Sequence, residues 1–194
     1  MKLKEIAEIR IGRVTRKNSE ALLDNSSLIA YKVLTVAGIN DNFGEINPDK
    51  LDDYFSTDAI NSEHLCKKND LVVRLSHPNT CIIVDENCDN LLISNLFAVI
   101  RLINNEFIPE YIWMLINNGL LKPIAKTKGL IATVNKSQLE EVEINPISID
   151  KQQQLSTIYR KSIALRKSLL AQAELEEQYI NLFIKEQTLQ RKEQ

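Results

Sequence analysis

From Asp150 to about Lys192 the sequence contains neither glycine nor proline, so nothing interrupts a single long helix. Apolar residues recur at Leu155, Ile158, Leu165, Leu169, Ala173, Ile180 and Ile184, in steps of three, four and seven, the spacing that lines one face of a helix. Asp150-Lys151-Gln152-Gln153 supplies a start signal, an acceptor side chain followed three residues later by Gln. At 1.5 Å per residue such a helix runs roughly 65 Å, longer than a domain of this size can cover. Part of the stripe is therefore expected to need a partner helix. The expected division is a globular domain over 1–149 and a long helix over 150–194.

The first part reads as an α+β (mixed α/β) domain. Leu3 to Ile9 has the pattern of a short amphipathic helix ending near Gly12. Runs rich in β-branched residues at Ala30–Val36, Leu71–Leu75, Cys81–Val84 and Phe97–Ile103 are expected strands, separated by Asn, Asp, Gly and Pro. Pro109 opens a helix that should stop at Asn117-Asn118-Gly119. A second helical piece is expected over Leu120–Ala125, a small capping box at Ser137–Glu140, and a last short strand at Val142-Glu143-Ile144.

Composition excludes more than it proposes. No run approaches eighteen apolar residues, so no membrane span is expected. The N-terminus lacks the pattern of a secretory signal, and three cysteines form no disulfide framework, which together suit a reducing cytoplasm. Zinc binding by these cysteines with His64 or His77 is the less favoured reading, because no Cys-x-x-Cys pair exists. The five glycines form neither a dinucleotide fingerprint nor a phosphate loop, and no two prolines are adjacent, as an adenine-methyltransferase loop would require. No lysine has an acid two positions before it, so the acid-x-Lys element of many nucleases is missing as well. No catalytic residue, metal or cofactor is therefore assigned.

A net charge of −2 hides an uneven distribution. Residues 1–17 carry Lys2, Lys4, Arg10, Arg13, Arg16 and Lys17 against Glu5 and Glu8 alone, and residues 120–137 carry four lysines and no acid. Residues 41–63 are acidic. Local patches of this kind, rather than the global sum, decide whether a phosphate backbone is attracted.

The order of the motifs is informative. Leu3-Lys4-Glu5-Ile6-Ala7-Glu8-Ile9-Arg10-Ile11-Gly12 opens the chain; Lys68-Asn69-Asp70-Leu71-Val72 and Ser94-Asn95-Leu96-Phe97-Ala98-Val99-Ile100-Arg101 follow. Tyr111-Ile112, then Gly129 with Val134-Asn135-Lys136-Ser137-Gln138-Leu139, precede Val142-Glu143-Ile144-Asn145-Pro146-Ile147-Ser148-Ile149-Asp150-Lys151-Gln152. Together they resemble the target-recognition domain and following helix of DNA specificity subunits of type I restriction–modification systems, over essentially the whole chain. One Pro146 stands where a Pro pair often precedes the Gln in that family.

The resemblance implies a non-catalytic reader of double-stranded DNA, built on a mostly antiparallel target-recognition domain. Its long helix would pair as an antiparallel coiled coil and dock methyltransferase subunits, with a restriction subunit as a further possible partner. Such subunits usually carry two domain-plus-helix units, and one is seen here, so the expectation is a half-subunit. It would form a homodimer through Leu155, Ile158, Leu165, Leu169, Ala173, Ile180 and Ile184. Two-fold pairing would favour an inverted bipartite site whose spacer follows the helix length. Arg13, Arg16, Lys17, Lys126, Lys128 and Lys136 are then the expected phosphate contacts. Arg74, His77 and Asn79, between two strands, are candidates for base edges. The acidic stretch around Asp52-Asp53 should face away from DNA, and Arg160, Arg166 and Lys167 should meet the methyltransferase or intervening DNA. A coiled-coil protein–protein adaptor or a remnant subunit that no longer binds DNA is the alternative.

Overall fold

The uninterrupted apolar run Leu71-Val72-Val73 lacks the alternation of a strand with one wet face, and all three side chains are buried. In a computed structural model of the protein, describing residues 1–13, 28–85, 91–128 and 131–189, this run forms one of the two inner strands of a four-stranded sheet. The sheet order is β1 (Ala7–Ile11), β9 (Phe97–Leu102), β6 (Leu71–Arg74) and β7 (Cys81–Ile83), with every pair antiparallel. A three-stranded sheet follows the order β5 (Asp52–Ser56), β2 (Ile29–Leu34) and β8 (Leu91–Ile93), with β2 and β8 parallel. Val72, Ile82, Phe97 and Val99 of the first sheet share one core with Leu34, Leu91 and Ile93 of the second.

Smaller elements complete the domain. Two hairpins pair β3 (Ile39–Asn40) with β4 (Glu45–Ile46) and β10 (Lys126–Lys128) with β11 (Ile131–Thr133). Helix α1 (Leu3–Ile6) and helix α3 (Lys136–Glu140) lie against one another, α3 also meets β1, and α2 (Pro109–Asn117) packs on β7. The chain ends in helix α4 (Ile149–Leu189). It divides into two compact units, Met1–Ser156 and Thr157–Gln194. The architecture is thus the mixed α+β, mostly antiparallel fold with a long C-terminal helix that the sequence implied.

Local departures each have a physical reason. Residues 3–9 do not form one helix; the helix stops at Ile6 and β1 begins at Ala7, because a ladder to β9 recruits Ala7 and Ile9 into the core. Helical spacing of Ile6 and Ile9 was a local signal that a non-local pairing overrode. Leu120–Ala125 is a series of turns, and Val142–Ile144 contributes only an isolated bridge from Glu143 to Lys2. The capping box is formed by Asn135 and Gln138, two residues before the expected Ser137 start. β5 was not anticipated, since Asp52 and Asp53 disfavour strands. As an edge strand it carries them exposed, with Lys32 reaching Asp53 at 2.6 Å across the pair, and charge on an edge discourages further pairing.

Helix α4 begins one residue before Asp150, and the residue that fixes its start is Gln152, not the expected capping pair. Gln152 is fully buried. Its Nε2 donates to the carbonyls of Glu106 (2.8 Å) and Ile147 (2.9 Å), and its Oε1 accepts from the Ile108 amide at 3.0 Å. The first two turns of α4 therefore belong with the α+β unit.

The charged anchor of this unit is Asp70, whose side chain is buried at the entrance to β6. It receives Arg101 of β9 through two bonds of 2.7 and 2.6 Å and the Lys67 amide at 2.8 Å. Those bonds hold the Arg101 guanidinium above its already high ordinary pKa. Removing one partner of a buried pair strands the other charge, which typically costs more than the pair contributes. Asp70→Ala is expected to lower unfolding stability by about 3–5 kcal/mol, read as a shift in the urea midpoint; a loss under about 1 kcal/mol would show that Arg101 finds water instead.

Candidate nucleic-acid interface

Antiparallel registers decide which loops meet. Ile11 pairs with Ala98, Arg74 with Phe97 and Val73 with Cys81. The C-terminal ends of β1 and β6 and the N-terminal ends of β9 and β7 consequently lie at the same end of the four-stranded sheet. Three pieces of chain converge there: Gly12-Arg13, the Ser94–Phe97 turn and the Leu75–Thr80 loop. Gly12 donates its amide to the Phe97 carbonyl at 2.9 Å, and Leu75 donates to the Leu96 carbonyl at 2.9 Å. A Cβ at Gly12 would sit 2.1 Å from the Ser94 carbonyl oxygen, so no other residue fits without moving the backbone.

The β10–β11 hairpin is sewn to the same place. His77 donates its amide to the Ala132 carbonyl and Val134 to the Leu75 carbonyl, both at 2.8 Å, and Ser76 bridges to Thr133. Thr133 is in turn the partner of Lys126. Two stretches far apart in the sequence, the lysine-bearing hairpin and the Arg74–Asn79 segment, thus form one surface.

The candidates differ in what that surface leaves available. Arg13 and Lys126 are exposed; Lys128 has its backbone in β10. Lys136 is exposed in the first turn of α3 and lies 3.6 Å from Glu140, one turn along. Arg16 and Lys17 lie outside the described residues. His77 is exposed and precedes a cis peptide bond to Pro78. Arg74 is oriented rather than free: its Nη1 meets Asp41 at 2.8 Å and its Nε donates to the Ser76 hydroxyl at 3.0 Å. The same Asp41 accepts from the Thr80 hydroxyl. One acid of the 41–63 stretch therefore stands at this surface, beside the Arg74 guanidinium.

Asn79 leaves the set of base readers. It is 4% exposed, adopts a left-handed φ of 58°, and its Nδ2 donates to the carbonyls of Arg74 (3.2 Å) and Leu75 (3.1 Å). Asparagine tolerates that backbone region, and its amide closes the turn. Reading the loop as an exposed linker concealed this structural role. Asn95 and Leu96, noted in the sequence only as part of the Ser94–Arg101 motif and not as candidate contacts, stand exposed at the tip of the Ser94–Phe97 turn.

Among the described residues no group of three or more His, Cys, Asp or Glu side chains could hold a metal ion. Cys66 and Cys81 are both buried, and burial pushes the Cys81 thiol well above its ordinary value. No helix among the described residues is long and apolar enough to cross a membrane.

No protein-family model and no curated protein matches the sequence. Solved structures do match. A chain from a type I restriction–modification system, solved to explain complex assembly and conformational transition, superposes with a TM-score of 0.66 at 14% identity. The match covers 91% of this chain and 45% of that one. This chain has the fold of a type I specificity subunit. The HsdS subunit from Thermoanaerobacter tengcongensis gives a TM-score of 0.62 at 15% identity, covering 87% of this chain and 43% of that one. The type I S subunit from M. genitalium gives 0.50 at 12%, over 81% and 37%. The chain therefore spans less than half the length of each solved chain, and the specificity-subunit fold is present here as one α+β unit and one long helix.

A cation that only touches phosphate adds affinity without sequence preference. Lys126→Ala should weaken duplex binding equally on all sequences and reduce the slope of log K against log salt by about one. Fluorescence anisotropy across a salt series measures both; an unchanged slope would remove Lys126 from the interface.

Proposed function

We propose that this chain is a non-catalytic DNA-recognition subunit of a type I restriction–modification complex, reading one half of a bipartite duplex site and pairing through α4. The observation that carries this reading is the convergence of Arg13, His77, Lys126 and an oriented Arg74 on one end of the sheet, in a fold shared with specificity subunits. Phosphates would be met by the cations and base edges by the polar loop side chains. The methyltransferase subunit, and a restriction subunit where the system cleaves, would supply the chemistry.

Helix α4 supports pairing with a second copy. Ile158, Leu165, Leu169, Ile180 and Ile184 are all more than half exposed, and Leu155 is 36% exposed. In an antiparallel pair centred on Leu169, Ile158 falls opposite Ile180, Leu165 opposite the small Ala173, and Leu155 opposite Phe183, beside Ile184. The charges agree with that direction. Residues 157–170 carry Arg160, Lys161, Arg166 and Lys167 and no acid, whereas 171–189 carry Glu174, Glu176, Glu177 and Glu186 against Lys185. Antiparallel pairing sets each basic half beside an acidic one; parallel pairing would set like against like.

Co-expression with a methyltransferase subunit of the same system, followed by genome-wide mapping of adenine methylation, tests the reading. A two-part motif with inverted halves and a fixed spacer is expected. Unlike halves would retain the reader and overturn the homodimer. No methylation, with both proteins soluble and co-purifying, would overturn the reader in favour of a protein–protein adaptor or a remnant.

The register has its own check. Leu169→Cys should give a disulfide-linked dimer under mild oxidation, since only the residue at the two-fold meets itself, whereas Ile180→Cys should remain monomeric on a non-reducing gel. Cross-linking at both positions would indicate parallel helices.

A further inference from the structure

Asparagines in this domain mostly serve the backbone. The carboxamides of Asn47 and Asn61 cap short helical turns, those of Asn79 and Asn117 tie carbonyls and amides across loops, and that of Asn135 closes the α3 capping box. Asn95 is different. It is exposed at the tip of the Ser94–Phe97 turn, and among the described residues its carboxamide makes no hydrogen bond.

The turn that carries it is held from every side. Phe97 donates its amide to the Ser94 carbonyl at 3.1 Å, closing the turn. On one flank Gly12 presses against the Ser94 carbonyl and bonds to Phe97; on the other Leu75 bonds to Leu96. Beneath it, Ile93, Phe97, Ala98 and Val99 are fully buried. Asn95 thus combines an uncommitted, two-ended polar group with a backbone fixed by the sheet. Leu96 beside it is 50% exposed, an apolar side chain at the same tip. The cations at this sheet end would fix the phosphate backbone around the turn.

We propose that Asn95 is a base-reading residue of this surface, its carboxamide taking an adenine edge in the major groove, with Leu96 supplying an apolar contact beside it. Adenine offers a donor and an acceptor side by side, N6 and N7, which match the Oδ1 and Nδ2 of one carboxamide. A bidentate contact needs its backbone placed before binding, and the clamped turn provides that. Leucine next to it suits a thymine methyl, the one apolar mark a base presents in that groove. The inference rests on the DNA-recognition reading above and adds to it the residue that sets specificity at one position.

The test uses the full chain assembled with its methyltransferase subunit, comparing the methylated motif of the wild type with Asn95→Ala, Asn95→Asp and Lys126→Ala. Asn95→Ala should relax one adenine-containing position in each half-site, by about 5- to 150-fold in discrimination, with the other positions intact. Asn95→Asp, unable to donate to N7, should relax the same position. Lys126→Ala should lower methylation on all sites alike. Because the Asn95 side chain is exposed and bonded to none of the described residues, unchanged thermal melting is expected for its variants and confirms that folding is not the cause. A wild-type motif left unaltered at every position by Asn95→Ala would overturn this assignment while leaving the reader intact. A wild type that methylates no defined motif would overturn both.

Discussion

The antiparallel pairing of β1, β9 and β6 is the constraint on which the candidate surface depends. Each antiparallel neighbour reverses the chain, so the exits of β1 and β6 and the entry to β9 must share one end of the sheet. The register is fixed because both faces of β6 are buried: a one-residue slip would exchange Val72, which meets the second sheet, for Leu71 or Val73. Asp70 and Arg101 pin the opposite end of the same two strands. The loop end can therefore carry exposed cations and an uncommitted asparagine without loosening the domain, since its backbone is set by strands stabilised elsewhere.

What was legible in the sequence follows from the range of the interactions. Long or uniform local signals were read correctly: the breaker-free C-terminal helix, the helix opened by Pro109, and the apolar runs of β6, β7 and β9. Elements stabilised by distant partners were not. Ala7–Ile11 looks helical until β9 lies beside it, and Asp52–Ser56 looks like a loop until β2 does. Gln152 illustrates the same limit within a helix that was recognised. Sequence showed a Gln in the junction, but its three hydrogen bonds go to Glu106, Ile108 and Ile147, all outside the helix.

The candidate site divides along similar lines. Charge is a local property, so the basic segments at 1–17 and 120–137 could be marked before any fold was known. Whether a side chain is spent on the protein itself is a tertiary property. Asn79 and Asn95 are both loop asparagines flanked by apolar runs, and nothing local separates them. Only the folded chain shows one carboxamide buried on two carbonyls and the other exposed with no partner among the described residues. Arg74 falls between these cases: the carboxylate beside it removes part of its charge from the surface but fixes the direction of its guanidinium. A fixed guanidinium suits a base edge better than a phosphate, because direction, not charge, discriminates bases.

The long helix poses a separate energetic problem, which pairing with a second copy, as proposed, would solve. An isolated helix gains from acids in its first turn and bases in its last; among the described residues, α4 has Asp150 in its first turn but no base in its last. Its cations are concentrated instead in residues 157–170 and its acids after 171, an order that does little for a solitary helix and complements a reversed copy of itself. The exposed leucines and isoleucines make the same demand through area, since each is worth about 1.5–3 kcal/mol when fully buried. On the proposed function, one α+β unit would offer few phosphate contacts, and affinity from so few is weak at physiological salt. Joining two units through α4 would turn the second contact into an intramolecular step, raising the effective concentration of the second surface near DNA without any new residue. The apolar stripe and the segregated charge of α4 would then serve DNA affinity as much as assembly.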